Sequence, residues 1–141
     1  MTIAIIGAGN VGRALATSLT RAGHSVLVTS LDPEHAGAVA AETGARAVRS
    51  NAEAAAGADI VVLAAPFSSA EAIAAEIRDG VAGKVVVDAT NRMSFGASGP
   101  DIDTTASNAE ELAALLPGAK VVKAFNTLFA SSQSEIGRAH V

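Results

Sequence analysis

Apolar and polar positions follow two different periods along this chain, and the switches between them lay out its elements. Thr2-Ile3-Ala4-Ile5-Ile6 is an unbroken apolar run, the pattern of a strand buried on both faces. From Asn10 to Arg21 the apolar residues recur at helical spacing, and Gly23 supplies a stop. Residues 24–30 read as a second strand. Asp32-Pro33-Glu34 then offers an N-cap, a proline at the first helical position and an acid in the first turn, so a helix through 43 stopping at Gly44 is predicted. A short third strand covers residues 45–48. Ser50-Asn51-Ala52-Glu53 has the spacing of a capping box and opens one or two helical turns.

The second half repeats the alternation. Residues 60–66 form the next strand, and Ser68-Ser69-Ala70-Glu71 reads as another capping box before a helix carrying Ala72, Ile73, Ala75 and Ile77. A fifth strand is predicted over 84–88. Residues 91–106, rich in Gly, Ser and Asp, read as a long loop of the kind that often carries function. Ser107-Asn108-Ala109-Glu110 caps a last helix through Leu116, and residues 120–125 give a sixth strand. Strands alternating with helices imply an α/β fold, a doubly wound parallel sheet of the Rossmann type with strand order 3-2-1-4-5-6. The organisation expected is one dinucleotide-binding domain over 1–130 and an unstructured tail over 131–141.

The turn after the first strand carries the candidate chemistry. Gly7, Gly9 and Gly12 stand at GxGxxG spacing between a strand and a helix, the setting of a dinucleotide site. Gly7 allows the tight turn, Gly9 leaves room for a pyrophosphate, and Gly12 lets the helix pack against the strand. Ala8, Asn10 and Val11 complete the loop, and free N–H groups at the helix start favour an anion. A Walker A loop is excluded, because no Lys-Ser/Thr follows the last glycine.

The ligand is expected at the carboxyl ends of strands one and four, where strand order reverses. At the end of the second strand an acid would accept from the ribose 2′-OH of NAD, but the chain has Thr29-Ser30-Leu31. Ser30 can donate to a phosphate oxygen, so NADP is favoured modestly and NAD is the alternative. His35 lies one helical turn further on and can assist when protonated. Ala65, Pro66 and Phe67 follow the fourth strand, with small residues for backbone approach and an apolar wall. Asn91 and Asn126 put neutral hydrogen-bonding groups on the same edge. No Ser-His-Asp set, metal cluster or paired carboxylate converges, so no catalytic residue is assigned.

Composition narrows the class further. Half of the 141 residues are hydrophobic, as a sheet buried on both faces requires, and one domain suits this length. Absence of cysteine excludes disulfides and a thiolate nucleophile. A net charge of −4 without Trp or Tyr argues against nucleic acid, and no apolar run approaches the ~20 residues of a membrane span. A cytoplasmic protein without a membrane or nucleic-acid partner is expected.

Gly7-Ala8-Gly9-Asn10-Val11-Gly12, with Ala22-Gly23-His24-Ser25-Val26 leading to Ser30, resembles the NADP-binding domain of coenzyme F420-dependent NADP oxidoreductases. Val87-Asp88-Ala89-Thr90-Asn91 and Val122-Lys123-Ala124-Phe125-Asn126-Thr127 are similar to that family's later strand ends. The resemblance implies NADP as cofactor, hydride transfer to a small redox partner, and F420 as second substrate. Leu31 departs from the Arg usual after the matching Ser. The family also carries a C-terminal part that completes the second substrate's pocket and a homodimer. Residues 135–141 show no strand, helix or site pattern, and a common sequencing adapter encodes the same string. A truncated reading frame with a non-native tail from Glu135 is therefore expected, binding cofactor without a completed catalytic pocket. The alternatives are a stand-alone, non-catalytic dinucleotide-binding module and the cofactor domain of an imine or sugar-acid reductase.

Overall fold

The computed structural model describes residues 1–65, 67–90, 94–96, 99–101 and 108–124, with backbone alone for residues 67, 94–96, 99–101, 108 and 109. Strand β1 (Thr2–Ile6) lies at the centre because every second side chain must be buried on each face. Ala4 and Ile6 join one core with residues of helices α3 (Asn51–Gly57), α4 (Ala70–Ile77) and α5 (Asn108–Leu115). Ile3 and Ile5 join the opposite core, beneath helices α1 (Asn10–Arg21) and α2 (Pro33–Thr43). Alanines at the helix contacts, among them Ala16, Ala54, Ala55 and Ala74, are buried and let the helices approach the sheet closely.

Parallel pairing extends from β1 to β2 (Ser25–Thr29) on one side and β4 (Ile60–Leu63) on the other. Strand β3 (Arg46–Ala47) adds to β2, β5 (Val85–Asp88) to β4, and β8 (Lys120–Lys123) to β5. The resulting order, β3-β2-β1-β4-β5-β8, is the expected 3-2-1-4-5-6 counted over the parallel strands. This is the doubly wound Rossmann arrangement.

Local chemistry sets most helix boundaries. Asp32 caps α2 by accepting from the Glu34 N–H at 3.0 Å, and Gly44 ends it at φ +86°. Ser50 accepts from the Glu53 N–H at 3.0 Å and caps α3. The predicted capping box at Ser68–Glu71 is not formed. A 3-10 turn (Phe67–Ser69) leads straight into α4, Ser69 already has helical dihedrals, and its side chain makes no cap bond. The predicted loop over 91–106 also needs correction. Two short antiparallel strands, β6 (Ser94–Gly96) and β7 (Gly99–Asp101), pair within it. Neither strand shows the alternating apolar pattern by which a hairpin is read from sequence. Residues 102–107 and 125–141, including the cap at Ser107, the end of the sixth predicted strand and the tail, lie outside the described residues.

Candidate functional site

Where the sheet's strand order reverses, the chain leaves β1 and β4 on opposite sides and a cleft of about 370 Å³ opens between them. Three backbone bonds fix its floor. The Gly7 N–H donates to the Thr29 carbonyl at 2.9 Å, the Ala64 N–H to the Ile6 carbonyl at 2.8 Å, and the Ala89 N–H to the Leu63 carbonyl at 3.0 Å. Thus the first residues beyond β1, β4 and β5 are each tied to the end of a neighbouring strand and held at one level.

The three motif glycines meet different surroundings. Gly7 has φ +117°, and a Cβ there would lie 2.8 Å from the Ala64 backbone. Both facts demand glycine. A Cβ at Gly12 would lie within 1.9 Å of the Gly7 carbonyl oxygen, so the first turn of α1 rests directly on the glycine turn. Gly9 is the contrast: its φ of −78° suits any residue, and a Cβ would meet nothing within 4 Å. The fold itself does not require glycine at this position, which lines the cleft.

Gly9 is also the N-cap of α1 and has no side chain to cap with; the first turn contains no acid. The first intrahelical bond at this end is donated by the Arg13 N–H to the Gly9 carbonyl at 2.9 Å. The N–H groups of Asn10, Val11 and Gly12 precede it and have no acceptor within the helix. A helix start with free donors and an uncompensated dipole beside a cleft suits an anion.

Ser30 and Leu31 line the far end of the cleft, beyond β2. The Asp32 N–H donates to Ser30 Oγ at 3.3 Å, which leaves the Ser30 hydroxyl proton for an incoming acceptor. Asp32 itself turns its Oδ1 to the α2 cap. Leu31 is 92% exposed, an unusual setting for a large apolar side chain. At the opposite end, Ala64, Ala65 and Ala89 present small side chains to the cleft. Asp88 is wholly buried, and its Oδ1 accepts from the Thr90 N–H at 2.8 Å and from the Thr90 hydroxyl. That turn shapes the end of β5.

Residues 2–92 match the family of NADP oxidoreductases described as coenzyme F420-dependent. The chain belongs to this family. It is 36% identical to the F420-dependent NADP reductase of Methanothermobacter thermautotrophicus over 96% of its own length, and spans 65% of that protein. Among solved structures, a hypothetical protein from Sinorhizobium meliloti superposes with a TM-score of 0.82 at 38% identity, covering 95% of this chain and 65% of that one. An imine reductase from Bacillus cereus shares the fold, with a TM-score of 0.72 at 24% identity over 92% of this chain and 42% of its own.

Of the candidate site residues read from the sequence, Gly7, Ala8, Gly9, Asn10, Val11, Ser30, Leu31 and Ala65 come together around the cleft. Gly12 lies buried behind it. His35 is exposed on the first turn of α2 and is not among the residues lining the cleft. Phe67 begins the 3-10 turn, its side chain outside the description, while Pro66, Asn91 and Asn126 lie outside the described residues. Asn51, Ser69 and Ile73 also line the cleft and escape the sequence reading. Asn51 was legible as a helix start, but nothing local reveals that α3 begins beside the end of β2. Among the described residues no His/Cys/Asp/Glu group could hold a metal ion, and no helix is long and apolar enough to cross a membrane.

Proposed function

We propose that the cleft binds a nicotinamide dinucleotide, NADP(H) ahead of NAD(H), and that the chain is the cofactor domain of an oxidoreductase. The observation that carries this reading is Gly9. The fold leaves its Cβ direction open, yet the position lies between the cleft and the uncapped start of α1. A pyrophosphate approaching those N–H groups gives glycine a purpose there that packing does not.

In this reading the N–H groups of Asn10 and Val11, which line the cleft at the start of α1, hold the pyrophosphate. Ser30 donates to the 2′-phosphate, and Asp32, engaged in the α2 cap, does not take the ribose. Ala64, Ala65 and Ala89 leave room for the nicotinamide half to lie close to the strand ends. When bound, the cofactor supplies or accepts a hydride; the chain's contribution is orientation and electrostatics. The second reactant is a redox cofactor or acceptor. F420 is the candidate, since two of the relatives are F420-dependent NADP reductases and such a pairing needs no ionisable residue for proton transfer.

The test is a binding titration of NADPH and NADH against the purified chain and its Gly9→Val variant. Measurable NADPH binding, weaker NADH binding and loss of most of it in the variant are expected. A parent chain that binds neither dinucleotide, or a folded variant with unchanged affinity, overturns the reading.

A further inference from the structure

The amide of Asn51 is held at both ends by groups that fix which way it faces. Thr29, 2% exposed, donates its hydroxyl to Asn51 Oδ1 at 2.6 Å. Asn51 Nδ2 donates to Glu76 Oε2 at 3.1 Å. An ionised carboxylate only accepts, so Glu76 requires the NH₂ group on its side, and Thr29 is left facing the amide oxygen. One Nδ2 hydrogen is thereby used. The other has no acceptor among the described residues, and the bond from Thr29, the last residue of β2, puts Asn51 at the Ser30–Leu31 end of the cleft that it lines.

These neighbours define what that hydrogen can meet. Ile73 stands one helical turn before Glu76 on α4, and Leu31 follows the end of β2; both apolar side chains line the cleft. Leu31 is 92% exposed, so a flat ring laid against it would cover apolar surface that the protein alone leaves bare. A planar heteroaromatic ring with acceptor nitrogens on its edge suits such a slot, whereas a phosphate suits neither Leu31 nor Ile73.

We propose that Asn51 is a specificity-determining residue that donates to a ring-nitrogen acceptor on the purine base of the ligand. Thr29 and Glu76 act as positioning residues that aim the amide, and Leu31 covers one face of the ring. This rests on the dinucleotide reading above. It goes further in assigning the base end of the cleft to a residue whose place in the sequence marks only a helix start.

The experiment measures affinities of the parent and of Asn51→Ala for three probes: NADPH, adenosine 2′,5′-bisphosphate and NMNH. The bisphosphate carries only the base end and NMNH only the nicotinamide end. Loss of one neutral hydrogen bond should weaken NADPH and the bisphosphate by about three- to tenfold each and leave NMNH unchanged. Equal weakening of all three probes, or no weakening of the bisphosphate, overturns the assignment. Binding of none of the probes by the parent instead overturns the dinucleotide reading on which it rests. Because Asn51→Ala strips a buried hydroxyl of its partner, Glu76→Ala, at an exposed position, is the second variant. It frees the amide to turn and should give a smaller loss, about twofold, confined to the two base-bearing probes. An unaffected bisphosphate affinity in that variant would remove Glu76 from the positioning role and overturn the proposed relay.

Discussion

Helices α1 and α2 leave the same edge of the same sheet, one after β1 and the other after β2, and they begin in opposite ways. Asp32 caps α2, Pro33 removes one N–H from its first turn, and Glu34 places a negative charge against the dipole. The start of α2 is thus satisfied from within the chain. The 12-residue α1 starts from Gly9 with no cap, no proline and no acid in its first turn. Residues that cap helices are used for α2 and α3 but not here, where the cleft opens. One helix start is finished by the sequence; the other stays open beside the cleft, where the proposed ligand would finish it.

The difference can be probed from both sides, and the largest effect belongs to the fold. Gly12→Val would drive a side chain into the Gly7 carbonyl, backbone that cannot step aside without moving β1. A loss of about 3 kcal/mol or more in denaturant unfolding is expected, beyond ordinary overpacking because the obstacle is main chain. A near-wild-type midpoint would mean that α1 does not rest on the glycine turn.

A smaller effect concerns what α2's side of the cleft contributes. Leu31→Arg adds a guanidinium beside Ser30, within reach of a 2′-phosphate, and a charge-assisted contact is worth roughly 1.5–3 kcal/mol. The ratio of NADPH to NADH affinity should rise by about tenfold or more, with NADH itself changing little. A parent that already prefers NADH strongly would show that Asp32, despite its cap, reads the ribose.

Smallest is the cap itself. Asp32→Ala should cost about 1 kcal/mol of stability, the usual value of an N-cap. NADPH affinity should stay within about twofold, because Asp32 is turned to Glu34 and not to the cleft. Thermal unfolding and titration of the same sample separate the two quantities.

Much of this was legible in the sequence because the signals are local. The apolar runs of β1 and β4, the Asp32-Pro33-Glu34 start and the Gly44 stop each specify their own backbone, and α1 and α2 fall within the predicted bounds. The failures have the same origin. Ser68-Ser69-Ala70-Glu71 has the letters of a capping box, yet the chain enters α4 through a 3-10 turn and Ser69 is helical before it can cap. The β6–β7 hairpin is built from Ser, Gly, Pro and Asp, whose composition reads as loop. Asn51 needed its tertiary bonds to Thr29 of β2 and to Glu76 of α4 to become part of the cleft, and no spacing along the chain announces that. Surface charge adds little on either side: Arg13 and Glu42 pair across α1 and α2 at 3.5 Å, but both are more than half exposed.

The most direct test gives α1 what α2 already has. Gly9 sits at an extended φ with open space where a side chain would go, so Gly9→Asp can be accommodated and can cap the helix. Stability should hold or rise by a few tenths of a kcal/mol, since an acid at a helix start is favourable. NADPH affinity should fall at least about 100-fold, because the carboxylate occupies the pyrophosphate's place and repels it at a cost of several kcal/mol. Unfolding and NADPH titration of that single variant give both numbers. Stability kept with binding lost is the predicted result; a stable Gly9→Asp protein that binds NADPH as the parent does would contradict the claim that α1's open start is the ligand site.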